Sequence, residues 1–225
     1  PEDRARGNHV VPTRRRACHH RFMAASGNVR VERLAPARAD DYLRFFDHER
    51  GPAFTDNPQW ATCYCHFYEV PPALDWKSFD GPMNRAAMAA RIATGEMEGY
   101  LAYDGGEVVG WMNAQPYPKL RHACARLHIA APPLPVPPHE AAAIVCFVVP
   151  PARRRQGIAR ALLAAGVANL AARGLAVVDA FPWNTEPANT KATDHYHGSL
   201  PMFAQAGFVP IAVHENLTVV RRTLR

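Results

Sequence analysis

No stretch of about 18 apolar residues runs through this chain, so a membrane-spanning helix is not expected. No apolar leader core lies near its start, which argues against a signal peptide. Cysteine is scarce and odd in number: Cys18, Cys63, Cys65, Cys124 and Cys146. Such thiols build no disulfide framework and suit a reducing cytoplasm. A second Cys pair to follow Cys63-Tyr64-Cys65-His66 is also lacking, so no metal site is expected there. Cys63 and Cys65 read as small packing residues on one face of an alternating segment.

What is present suits one domain. The chain has 225 residues, 48 % hydrophobic and 20 % charged, enough for an ordinary core. Charge is unevenly spread. Residues 1–39 carry nine Arg against three acids, residues 40–107 five bases against twelve acids, and residues 108–225 twelve bases against five acids. A basic half facing an anion and an acidic half facing something else is the simplest reading. Residues 1–22 hold six Arg and little apolar content, and read as a disordered basic arm or an upstream extension. Residues 23–225 form the single patterned domain. A nucleic-acid role for the arm is the weaker alternative.

Strand and helix signals alternate along 23–225. Val29, Val31 and Arg33 lie on a short strand; Pro36 opens a helix with Tyr42, Phe45 and Phe46 on one face. Residues 51–59 read as a loop, 84–94 as a helix ended by Gly95, and 100–112 as a hairpin turning at Asp104-Gly105-Gly106. Residues 124–129 read as a further strand. Five prolines within 130–138 mark an extended connector. Ala141–Val149 is apolar on both faces, the pattern of a buried central strand. A helix follows from about Gln156 to Arg173, with Gly174 as its C-cap. Then come a strand at 175–180, partial helix over 189–206, and closing strands at 208–213 and 217–223. The class is α/β (α+β) with a mixed sheet.

The stretch Val149-Pro150-Pro151-Ala152-Arg153-Arg154-Arg155-Gln156-Gly157-Ile158-Ala159-Arg160 is the most informative. A buried strand ends at a proline pair, and a basic turn leads to a glycine that opens a helix. Unpaired N–H groups at a helix start carry the positive end of its dipole, so this builds an anion site. It is neither a Walker loop nor a dinucleotide glycine motif.

Here the chain resembles the GNAT superfamily of acetyl-CoA-dependent N-acetyltransferases. The pyrophosphate loop of that family matches Arg154-Arg155-Gln156-Gly157-Ile158-Ala159, and Ala206-Gly207-Phe208 matches its last helix end. The resemblance covers roughly 200 residues and implies a mostly antiparallel central sheet flanked by helices. It implies acetyl-CoA as cosubstrate, with no metal. Phe147, Val148 and Val149 would hold the pantetheine arm by their backbones. Backbone N–H groups of Arg155, Gln156, Gly157, Ile158, Ala159 and Arg160, beside Arg154, would hold the pyrophosphate. Asn189 would touch coenzyme A.

Family members often use a Tyr to protonate the leaving thiolate. Counting forward from Asn189 gives Tyr196, whereas counting back from Gly207 gives Phe203, which has no proton to give. Tyr196 is therefore the expected acid. The central strand lacks the family's acid, so Glu98, Glu140 and Asp179 are the candidate bases, with a water chain as the alternative. Asp47, Asp56, Glu69, Trp60 and Tyr64 form an acidic, aromatic stretch suited to a cationic acceptor. The Asp56-Asn57-Pro58-x-Trp60-x-x-Cys63-Tyr64-Cys65 run looks like the kasugamycin-type aminoglycoside 2′-N-acetyltransferase subgroup. The resemblance thus implies a cytoplasmic N-acetyltransferase acting on the primary amine of a small cation, an aminoglycoside by first choice. A homodimer is compatible with it, and a membrane partner is not expected. Protein or peptide acetylation, or non-catalytic acyl-CoA binding, are the alternatives.

Overall fold

A computed structural model describes residues 29–47, 57, 62–184 and 192–225. The basic arm at 1–22 lies outside the described residues, as does most of the loop expected at 51–59. The elements run β1 (Arg30–Arg33), α1 (Ala39–Phe46), α2 (Gly81–Ala93), β2 (Tyr100–Asp104), β3 (Glu107–Pro116), α3 (Ala123–Arg126), β4 (Ala141–Val148), α4 (Ile158–Ala172), β5 (Val177–Ala180), α5 (Leu200–Gln205), β6 (Val209–Val213) and β7 (Thr218–Thr223). Seven strands form one sheet in the order β1-β2-β3-β4-β5-β7-β6. Every pairing is antiparallel except β4 with β5. This is the mixed, mostly antiparallel sheet expected from the sequence.

Local signals explain most element ends. The Asp80 side chain accepts from Met83 N at 2.8 Å and starts α2, with Pro82 in its first turn. Gly95 at φ +71° and Gly174 at φ +84° lie just beyond α2 and α4, in the left-handed region where a Cβ is strained. One expectation is corrected. Residues 124–129 form no strand: Ala123–Arg126 is a helical turn, closed by Ile129 N donating to Cys124 O at 3.0 Å. A short apolar run followed by a chain reversal at His128 (φ 56°) satisfies its backbone locally instead of joining the sheet.

The sheet separates two cores. On its front face, Tyr42, Phe45 and Phe46 of α1 and Met88 and Ile92 of α2 pack with Trp111, Val145 and Val148. On its back face, Leu162, Leu163, Val167 and Leu170 of α4 pack with Met112, Ile144 and Phe147, joined by Phe203 and Phe208. Gly166 lets α4 sit close. A Cβ there would stand 2.3 Å from Met112 Cε and 3.3 Å from the Tyr100 ring.

Candidate active site

The basic turn after β4 folds as a short 3₁₀ turn, Pro151–Arg153, and then leaves regular structure until α4. Arg155 (φ 64°) and Gly157 (φ 86°) both take the left-handed conformation. Such reversals turn successive backbone N–H groups into one concavity. No side chain caps α4, so the first N–H groups of this 15-residue helix keep no intrahelical partner. The three arginines do different work. Arg153 is tied to the β2–β3 hairpin through Asp104 at 3.0 Å and Glu107 at 3.4 Å. Arg154 Nε donates to Val149 O at 2.9 Å and braces the turn. Arg155 and Arg160 stay exposed beside the helix start, as does Gln156, whose amide donates to Ala152 O at 2.9 Å. The arrangement is a preformed anion cradle of backbone donors flanked by guanidinium groups.

Beside this cradle the sheet splits. The parallel pairing of β4 with β5 runs only from Ala141↔Val177 to Ile144↔Ala180. β5 ends there, while β4 continues to Val148. The backbone of Val145–Val148 therefore has no sheet partner on that side among the described residues. The same stretch carries a bulge: Asn113 faces Cys146 and Ala114 faces Ile144, leaving Val145 unopposed. Val145 and Cys146 both pack in the front core, whereas Ile144 and Phe147 pack in the back core. A bulge re-aims backbone groups at a strand centre, and here it does so in the open gap. Phe147, Val148 and Val149 lead from the gap to the cradle.

The front of the gap is lined by residues 62–80, which turn rather than extend. Tyr64 (φ 44°) and Cys65 (φ 55°) are both left-handed, so the expected alternation of Cys63 and Cys65 on one strand face does not occur. Cys65 is buried, and its Sγ accepts from Trp111 Nε1 at 3.4 Å and Asn113 Nδ2 at 3.6 Å. Burial and the neighbouring Cys65 thiol push the Cys63 thiol up to about 12. Among the described residues no group of three or more His, Cys, Asp or Glu side chains gathers to hold a metal.

The acceptor-side residues that are described already have partners. Asp47 meets Arg85 at 2.7 and 3.2 Å and accepts from the Tyr64 hydroxyl at 3.1 Å. Glu69 is almost fully buried, pairs with Arg91 at 2.9 Å and accepts from Gln115 Nε2 at 3.1 Å. Burial raises its carboxyl despite Arg91 and Gln115. Asp56, Trp60 and Asn189 lie outside the described residues.

Glu98 and Glu140 are not brought to the gap. Glu140 precedes β4 at the end away from the cradle, about 25 Å along the strand at the usual rise, and pairs with Arg225 at 3.0 Å. Glu98 is buried beside the C-terminal end of α4, held by Lys119 at 2.7 Å, Arg173 at 2.8 Å and Arg33 at 3.2 Å. Burial alone would raise this carboxyl, but Lys119, Arg173 and Arg33 outweigh it and hold it low. Its three cationic partners tie together β1, the segment after β3 and the end of α4. Asp179, opposite Ala143, is likewise occupied by Arg221 at 2.6 Å and the Tyr117 hydroxyl at 2.6 Å.

Near the gap the chain forms a 3₁₀ segment, Ala192–His197, packed against β4. Tyr196 is half-buried against the front core, its ring 4.3 Å from that of His197. Phe203 is fully buried in the back core, 6.1 Å from Phe147 and 5.0 Å from Phe208. It is a packing residue. The fold also brings Tyr68 to His197, the hydroxyl and ring nitrogen lying 3.3 Å apart.

Comparison with known proteins agrees with this architecture. The model of the acetyltransferase (GNAT) family matches residues 59–199. The chain therefore belongs to that family: it is an acyltransferase, a GNAT N-acetyltransferase that uses acetyl-CoA and needs no metal. A GNAT-family acetyltransferase structure from Desulfovibrio desulfuricans shares the fold, with a TM-score of 0.51 at 16 % identity over 88 % of this chain and 99 % of its own. An acetyltransferase from Salmonella typhimurium with acetyl-CoA gives 0.48 at 14 % identity over 88 % and 94 % of the two chains. An N-acetyltransferase from Staphylococcus aureus gives 0.49 at 11 % over 88 % and 100 %. No curated protein matches the sequence.

Proposed function

We propose that the chain transfers the acetyl group of acetyl-CoA to the primary amine of a small cationic acceptor, an aminoglycoside by first choice. The observation that carries the coenzyme part is the open gap between β4 and β5 with the backbone cradle of Arg155–Arg160 at its mouth. The pantetheine arm would run along Phe147, Val148 and Val149 as a substitute strand. The pyrophosphate would rest on the N–H groups from Arg155 to Arg160, with Arg154 bracing the turn and Arg155 and Arg160 adding charge. Asn189 would meet the coenzyme from the later segment.

Transfer itself balances simply. The neutral amine nitrogen attacks the thioester carbon, a C–N bond forms and the C–S bond breaks. The amine loses one proton, and the coenzyme thiolate takes one. Tyr196, beside the gap, is the proposed donor to that thiolate. Since Glu98 and Glu140 lie elsewhere, the amine proton leaves through water. Asp47, Asp56, Trp60, Tyr64 and Glu69 would form the acceptor wall, an acidic and aromatic surface matched to an ammonium-rich ligand. The pairing of Asp47 with Arg85 and of Glu69 with Arg91 means that a cationic acceptor must displace or share an arginine there.

A thiol-release screen tests this reading. Aminoglycosides, simple diamines and peptides are offered with acetyl-CoA. Release above the rate without acceptor, strongest for an aminoglycoside, supports it. Turnover confined to peptides moves the acceptor to a protein. Acetyl-CoA binding with no turnover across the panel contradicts it.

A further inference from the structure

His197 is buried to 1 % exposure, on the 3₁₀ segment that packs against β4 beside the gap. Its ring stands among Tyr196 at 4.3 Å, Trp183 at 5.1 Å and Tyr68 at 6.1 Å. Among the described residues these rings leave the imidazole one polar contact, Nε2 with the Tyr68 hydroxyl at 3.3 Å. Among the described residues Nδ1 has no hydrogen-bond partner.

That single contact fixes the tautomer. With the buried Tyr68 hydroxyl donating to His197 Nε2 only Nδ1–H is left over, whereas the reverse direction would strand the phenol proton and the Nδ1 lone pair together. Burial holds His197 neutral, down to about 3, so the ring carries one proton only. With Nε2 accepting, that proton sits on Nδ1. His197 therefore presents a buried N–H donor with no acceptor among the described residues. Leaving such a group unpaired costs the full penalty of its desolvation. An unmet donor of this kind suits a ligand acceptor that is absent from the free protein.

The acceptor can be named by its chemistry. The segment that carries His197 packs against β4, the strand that holds both the bulge and the gap. Tyr68 and Cys146, the bulge residue, pack in the same front core. Resting on the acyl-CoA reading above, we infer that the Nδ1–H of His197 donates a hydrogen bond to the acyl oxygen of the bound thioester and holds the oxyanion formed when the amine attacks. It keeps its proton. Giving it up would require Tyr68 to release its own proton in a buried site, where burial pushes the phenol well above its usual range. The device is a fixed dipole already in place, and Tyr68 is its positioning residue.

Histidine-selective ¹⁵N labelling tests this in the intact chain, with the Nδ1–H signal assigned through His197→Asn. Acetyl-CoA is compared with S-ethyl-CoA, which has the same length but no carbonyl. The expected result is a downfield move of the Nδ1–H proton with acetyl-CoA and none with S-ethyl-CoA. In thiol release, His197→Phe should lower kcat about 100-fold with little change in KM for acetyl-CoA. His197→Asn, whose amide N–H replaces Nδ1–H, should restore most of it. A bound acetyl-CoA that leaves Nδ1–H unmoved, an equal shift with both ligands, or a wild-type kcat in His197→Phe would overturn the inference. Failure of the wild-type chain to bind acetyl-CoA would instead overturn the acyl-CoA reading, and the inference with it.

Discussion

The two faces of the sheet are held by different means. Behind it, α4 and α5 lie on an apolar layer, and Gly166 brings helix and strands into close contact. In front, residues 62–80 cover the sheet with short turns and are pinned by polar side chains. Arg126 donates to Val70 O, Pro71 O and Leu74 O at 2.9, 2.9 and 3.2 Å. Asn84 donates to Thr62 O at 2.8 Å and meets His66 Nδ1 at 2.6 Å. The back face is built to be rigid, so the cradle at the start of α4 is held on a fixed support. The front face is a set of separable clamps, which suits a surface that must admit an acceptor.

Phe203→Ala should break the back face most severely. It empties a fully buried site between Phe147 and Phe208, at a loss of about 3–5 kcal/mol, read as a lower urea midpoint. Arg126→Ala should cost less, about 1–3 kcal/mol, because the freed carbonyls of Pro71 and Leu74 can turn to water. Its signature is faster hydrogen exchange confined to 62–80, and global loosening instead would refute the separate-clamp view.

Gly157→Val touches the cradle alone. A branched side chain at φ 86° is strained by roughly 1–2 kcal/mol, and it fills the space a phosphate would take. Acetyl-CoA affinity, measured by calorimetry, should fall about tenfold or more, since 1.4 kcal/mol is tenfold. A further effect is expected from pH. His66 and His197 are both lowered by burial, so the folded protein keeps them neutral while the unfolded chain takes up protons below about 6.5. Stability should be full above that pH and decline as pH falls from about 6.5 toward the His197 value of about 3. A urea midpoint that stays level from pH 7 to pH 5 would contradict this.

The back half of the molecule was the more legible in sequence, and the reason is physical. A continuous apolar run, a proline pair, Gly157 and Gly174 each have one dominant backbone meaning, and together they place β4, the turn and α4. The front half hides its geometry. Tyr64 and Cys65 take left-handed backbone without glycine, so tertiary contacts alone reveal that turn. The bulge at Val145–Cys146 depends on a strand not adjacent in sequence. Residues 124–129 had strand-like composition but reverse within six residues. Single residues misled most. Glu98 and Glu140 had the right chemistry, yet each is already occupied by cations. Tyr68 and His197 become visible as a pair only because the fold joins segments 129 residues apart.

Hydrogen exchange of the full chain with and without saturating acetyl-CoA tests the central claim most directly. The gap and cradle account predicts slower exchange at the amides of Phe147–Val149 and Arg155–Arg160, with the buried amides of α4 beyond the first turn little changed. Protection confined to other segments, or none in these two while acetyl-CoA is bound, would contradict it.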